Sequence, residues 1–131
     1  MSQHIDTLGV QCGVPSLTLA RQGVADLAAE FLPACIKVGI TCDPQARFFN
    51  IDYGYVHEGW MAMRVLHAGT TDQAVWLETN LIASLWGTSG LKNDSPGGEN
   101  PGKSKVCFTY SVAVRASSRE LKCFKRRKVH L

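Results

Sequence analysis

The stretch CIKVGITCDPQARFFN, residues 35–50, decides how this chain is read. Ile36, Val38 and Ile40 alternate with Cys35, Lys37, Gly39 and Thr41, the period of a strand with one apolar and one mixed face. Lys37 falls on the mixed face. Asp43-Pro44 then reads as a helix start, because the aspartate accepts from free N–H groups of the first turn and proline fills the first position, where no donor is needed. Arg47 follows within that turn. A strand that ends in glycine and turns directly into a helix carrying an arginine sets a lysine and an arginine around one space, an arrangement suited to an anion.

Upstream, Leu17, Ala20, Val24, Leu27, Ala28 and Phe31 recur at three and four residues, which predicts an amphipathic helix from Ser16 to before Pro33. Residues 1–15 show no period and read as a loose leader. Downstream, IDYGYVHEGW (51–60) is a loop rich in aromatic and polar groups, among them Tyr53, Tyr55 and His57. WMAMRVLHAG (60–69) suits a second strand, with Met61, Met63, Val65 and His67 on one side and Ala62, Arg64 and Leu66 on the other. Thr70-Thr71-Asp72 offers caps to a longer helix whose stripe is Ala74, Val75, Leu77, Leu81, Ile82 and Leu85, ending at Gly87. Glu78 falls between Ala74 and Ile82, partly on that stripe. An unpaired charge there is costly, so Glu78 requires a partner. Residues 87–105 hold too much Gly, Pro, Asn and Ser for a regular element. The last strand, 106–115, alternates cleanly, with Val106, Phe108, Tyr110, Val112 and Val114 on one face.

A length of 131 residues fits one domain with a modest core. Five cysteines, at 12, 35, 42, 107 and 123, form no C-x-x-C pair and fit neither a disulfide scaffold nor a zinc knuckle. Asp26, Glu30, Pro33 and Lys37 interrupt the longest apolar-leaning run, and the N-terminus lacks the basic start and apolar run of a signal peptide. An intracellular protein with no membrane partner is the expectation. The net charge of +3 conceals an asymmetry: Arg119, Lys122, Lys125, Arg126, Arg127 and Lys128 face only Glu120, so the body of the chain is mildly acidic. Such a tail attracts phosphates without regard to sequence, and it reads equally as a nuclear-import signal or a solvated end.

The segment KVGITCDPQARF (37–48), followed by LETNLI (77–82) and then Asn93, resembles the GIY-YIG nuclease family. Lys37-Val38-Gly39 stands in the place of the family's Tyr-Ile-Gly strand, with lysine replacing the tyrosine. Arg47 matches the family's catalytic arginine, Glu78 its metal-binding glutamate and Asn93 the asparagine that often follows. The family's first strand, bearing Gly-Ile-Tyr, has no counterpart directly upstream of Cys35. CFTYSVAVR (107–115) is its best equivalent, with Tyr110 in the place of the first tyrosine, which makes the domain circularly permuted.

The resemblance covers residues 35–115 and implies an α+β fold with a small, mostly antiparallel sheet flanked by helices. Residues 1–34 are then a leader and accessory helix, and 116–131 a basic tail. It also implies a metal-dependent DNA endonuclease, active or degenerate. Glu78 would hold one Mg²⁺, Arg47 would grip the phosphate, and Tyr110 or Lys37 would take the proton of the attacking water. His57 is an alternative base, and Asn93 and Tyr55 complete the candidate residues. Each has a plainer role open to it: an Arg47–Glu78 ion pair between helices, Tyr110 as a packing residue, Lys37 as a solvated strand residue, Asn93 in a turn, His57 at the surface. The competing functions are a non-catalytic nucleic-acid-binding module of the same fold and a protein-interaction domain.

Overall fold

The computed structural model describes residues 2–88, 90–93 and 106–117, and in it the chain has a mixed α+β fold. In order come β1 (His4–Asp6), β2 (Gln11–Cys12), α1 (Leu17–Ala29), β3 (Ala34–Thr41), α2 (Pro44–Phe49), β4 (Ala62–Gly69), α3 (Thr71–Leu85) and β5 (Cys107–Arg115). The three long strands run β4-β5-β3 and pair antiparallel, while β1 and β2 pair parallel with the outer side of β4. β3 and β4, joined through α2, therefore run in the same direction with β5 between them.

The helices begin where the capping residues place them. Ser16 accepts from Leu19 N at 3.2 Å, Asp43 accepts from Ala46 N at 3.1 Å with Pro44 next in line, and Thr70 forms a reciprocal capping box with Gln73. Alternation along β3 then separates two cores. Ile36 and Val38 pack with Ala20, Val24 and Leu27 of α1 and Leu77, Leu81 and Ile82 of α3, and Ile40 meets Ala74. On the other face Cys35 joins Phe48 of α2, Tyr55, Trp60, Met63, Tyr110 and Val112.

The N-terminal residues are more ordered than a loose leader. Asp6 brings β1 against β4 by taking Arg64 Nε at 2.8 Å and Nη2 at 3.3 Å, and Glu30 takes the same Nη2 at 3.2 Å. The hydrogen bond to Asp6 holds the Arg64 pKa above its ordinary value against the opposing effect of burial. Farther along, the His67 ring lies 2.6 Å from the Gly13 carbonyl, and because a carbonyl only accepts, Nε2 carries the proton. Strands of three and two residues are too short to show a period.

Two face assignments also change. Val75 is exposed rather than part of the α3 stripe. A bulge between Val65 and His67 turns the imidazole away from Met63 and Val65 and sets it opposite Thr109. The free edge of β3 is covered by residues 90–93: Ile36 N donates to Gly90 O and Lys92 N to Ile36 O, each at 2.8 Å. Among the described residues, no helix is long and apolar enough to cross a membrane. The basic run at 119–128 and most of the Gly/Pro-rich loop, 94–105, lie outside the described residues.

Candidate functional site

The β3–β5 register sets Gly39 opposite Tyr110. A Cβ on Gly39 would overlap the Tyr110 hydroxyl and lie 2.6 Å from its Cζ, so the glycine provides the space in which the phenol lies across the neighbouring strand. There the Tyr110 hydroxyl meets the Tyr55 hydroxyl at 2.6 Å, with the two rings edge to face and both side chains fully buried.

Tyr55 reaches this position because the chain after α2 folds back on the helix. Asn50 Oδ1 accepts from Asp52 N at 2.8 Å and Tyr53 N at 3.3 Å, closing an Asx turn. Gly54 then passes so close that a Cβ would stand 2.5–2.6 Å from backbone atoms of Asn50 and Phe48. Tyr55 N donates to Arg47 O at 3.1 Å and Val56 N to Phe48 O at 2.9 Å.

The two cations of the 35–50 stretch converge on Tyr55. The Arg47 guanidinium carbon is 4.0 Å from the ring centroid and its Nη1 donates to the Tyr53 carbonyl at 2.9 Å, while Lys37 Nζ is 5.7 Å from the same centroid. Lys37 makes no ion pair among the described residues. Both cations are half-buried and the phenols are sealed, so an incoming anion meets the cations first.

The remaining candidates sit elsewhere. Glu78 is 1% exposed on the buried stripe of α3, and that stripe packs on the Ile36/Val38/Ile40 face, across the sheet from Arg47 and the tyrosines. Asn93 is also buried. Its amide accepts from Val38 N at 2.9 Å and donates to Val38 O at 2.8 Å, imitating a strand residue on the β3 edge. His57 is exposed in a turn, its backbone N–H bonded to Gly54 O at 3.0 Å.

As for a metal, no group of three or more His, Cys, Asp or Glu side chains suited to an ion occurs among the described residues. Mg²⁺ commonly uses only one or two carboxylates plus substrate oxygens, so that count does not decide the matter. The position of Glu78 bears on it more directly: a carboxylate beneath α3 does not face the phosphate that Arg47 would hold. The described residues therefore do not build a Mg²⁺ site around the cation–tyrosine cluster.

A separate cleft of about 570 Å³, lined by Ala25, Ala28, Pro33, Ala34, Ile36 and Leu85, opens on the α1/α3 side. It is mostly apolar and remote from these groups. Comparison with protein-family models, curated proteins and solved structures gave no match.

Sequence reasoning named Tyr55 without a role and gave Tyr53 none. The tight Asn50–Gly54 turn was the available signal, because a segment folded back on α2 carries its next side chain toward Arg47.

Proposed function

We propose that this domain binds nucleic-acid phosphodiesters and cleaves them, as a circularly permuted relative of the GIY-YIG nucleases acting on DNA. The observation that carries the reading is the convergence of Lys37, Arg47 and Tyr110 on Tyr55. The antiparallel pairing of β5 with β3 supports it further, since a displaced first strand must lie beside the Lys37-Val38-Gly39 strand.

The chemistry follows from the charges. Phosphodiester hydrolysis builds negative charge on the phosphoryl oxygens, and fixed cations stabilise it most where water is excluded. Arg47, held by a ring face and a carbonyl, keeps its positive charge fixed beside Tyr55 with little entropy left to lose. Lys37 adds a second positive charge. The Tyr110 phenol, coupled to Tyr55 and sealed behind them, would take a proton from the attacking water only as its phenolate and once water reaches its oxygen.

The test is nicking of supercoiled plasmid with Mg²⁺ and with EDTA, using wild type, Arg47→Ala and Glu78→Ala proteins whose folding is checked by circular dichroism. Metal-dependent nicking lost in both folded variants supports the nuclease with Glu78 as metal ligand. Nicking lost in Arg47→Ala but kept in Glu78→Ala supports the cluster and removes Glu78 from it. A second reading, a non-catalytic nucleic-acid-binding module, is favoured by the placement of Glu78 beneath α3. Salt-sensitive DNA binding without nicking across common divalent metals establishes that reading instead. Neither binding nor nicking removes both.

A further inference from the structure

We infer that Tyr55 is the positioning residue of this site, with its hydroxyl and its ring face serving separate purposes. The inference rests on the phosphodiester reading and assigns a role to the loop residue on which Lys37, Arg47 and Tyr110 converge.

The hydroxyl fixes Tyr110. Two buried phenols 2.6 Å apart must share one hydrogen bond in which one donates and the other accepts. The bond orients the Tyr110 oxygen and couples any proton it gains or loses to Tyr55. The ring face docks Arg47: the guanidinium carbon lies 4.0 Å from the centroid, and the Nη1 bond to the Tyr53 carbonyl fixes its rotation. The loop that carries Tyr55 is anchored independently by the Asn50 turn, the close approach at Gly54 and the backbone bonds from Tyr55 N and Val56 N. Side-chain substitution at Tyr55 therefore leaves several supports in place.

Two variants separate the purposes. Tyr55→Phe keeps the ring and removes the hydroxyl. Tyr55→Leu removes both. The readouts are the Kd for a fluorescein-labelled 20-base-pair duplex by anisotropy, single-turnover nicking of supercoiled plasmid against pH, and the NMR shifts of the Arg47 side-chain protons, which a ring face displaces upfield.

For Tyr55→Phe the expected result is a Kd within about twofold of wild type, retained Arg47 shifts, nicking slower by about tenfold, the kinetic equivalent of one lost hydrogen bond, and a displaced pH profile. For Tyr55→Leu the Arg47 shifts move to ordinary values and binding also weakens by about tenfold. A merely structural tyrosine would lower all readouts together and leave the shape of the pH profile unchanged, which overturns the inference. So do unchanged nicking in Tyr55→Phe and unchanged Arg47 shifts in Tyr55→Leu, and either outcome leaves the nuclease reading standing. A wild type that neither binds nor nicks removes that reading, and the inference falls with it.

Discussion

Replacing Gly39 with alanine tests the geometry on which the site depends. The backbone at Gly39 lies in an ordinary strand, so the glycine is explained by close approach rather than by an unusual dihedral angle. The new methyl carbon would overlap the Tyr110 hydroxyl, and it would stand 2.6 Å from Cζ and 3.2 Å from Cε1. The phenol cannot swing aside as a surface side chain would, because it is fully buried and bonded to Tyr55. Alanine gains about 0.5–1 kcal/mol over glycine in a strand through reduced entropy loss. Overpacking costs about 1–3 kcal/mol. Displacing the phenol breaks its bond to the buried Tyr55 hydroxyl, which adds about 1–3 kcal/mol. The expected net destabilisation is about 2–4 kcal/mol.

Urea unfolding measures it, with an unchanged m-value required so that the midpoint reports stability alone. A double-mutant cycle with Tyr110→Phe then localises the effect, since removing the oxygen relieves the closest overlap while the ring remains. The expected coupling is at least about 1 kcal/mol, with Gly39→Ala costing less in the Phe background. A neutral or stabilising Gly39→Ala, or a coupling near zero, refutes the placement of Tyr110 over Gly39 and with it the assembled site.

Arg47→Lys keeps the charge but loses the planar stack and fork, and affinity for a labelled duplex should fall by about tenfold in a salt titration. Asn93→Ala strips the partners of Val38 N and O at the β3 edge, with an expected cost of about 2 kcal/mol by urea unfolding and faster hydrogen exchange at the Val38 amide. Asp6→Ala leaves the largely buried Arg64 with Glu30 as its remaining ion-pair partner among the described residues, and should destabilise by about 1–3 kcal/mol. Adding Arg64→Met should recover part of that loss, and failure to recover any would show that the network does more than anchor β1.

The parts of this fold that were legible in the sequence are those in which a local rule fixes a local geometry. Asp43-Pro44 set the start of α2, the caps offered at Thr70-Thr71-Asp72 the start of α3, and the alternation from 106 to 115 the faces of β5. β1 and β2 escaped because their evidence is a distant one: Asp6 is explained by Arg64, and Gly13 by His67. The bulge after Val65 escaped for a related reason, since a single inserted residue in β4 shows only against the register of β5.

Glu78 marks where local reasoning ends. Its spacing from Ala74 and Ile82 identifies the buried side of α3, and that side is indeed buried. Spacing does not say which face of the sheet the helix covers. That choice belongs to the connections: α2 and its loop carry the chain from β3 to β4 on the Cys35/Tyr110 side, and α3 carries it from β4 to β5 on the Ile36/Val38/Ile40 side. Lys37 and Val38 are adjacent in sequence and point in opposite directions, so Lys37 meets Tyr55 while Val38 lies in the core beneath α3. Arg47 and Tyr110 therefore meet through Tyr55, whereas the helix bearing Glu78 closes the opposite core. For this chain the reach of a sequence motif is decided by the face of one strand.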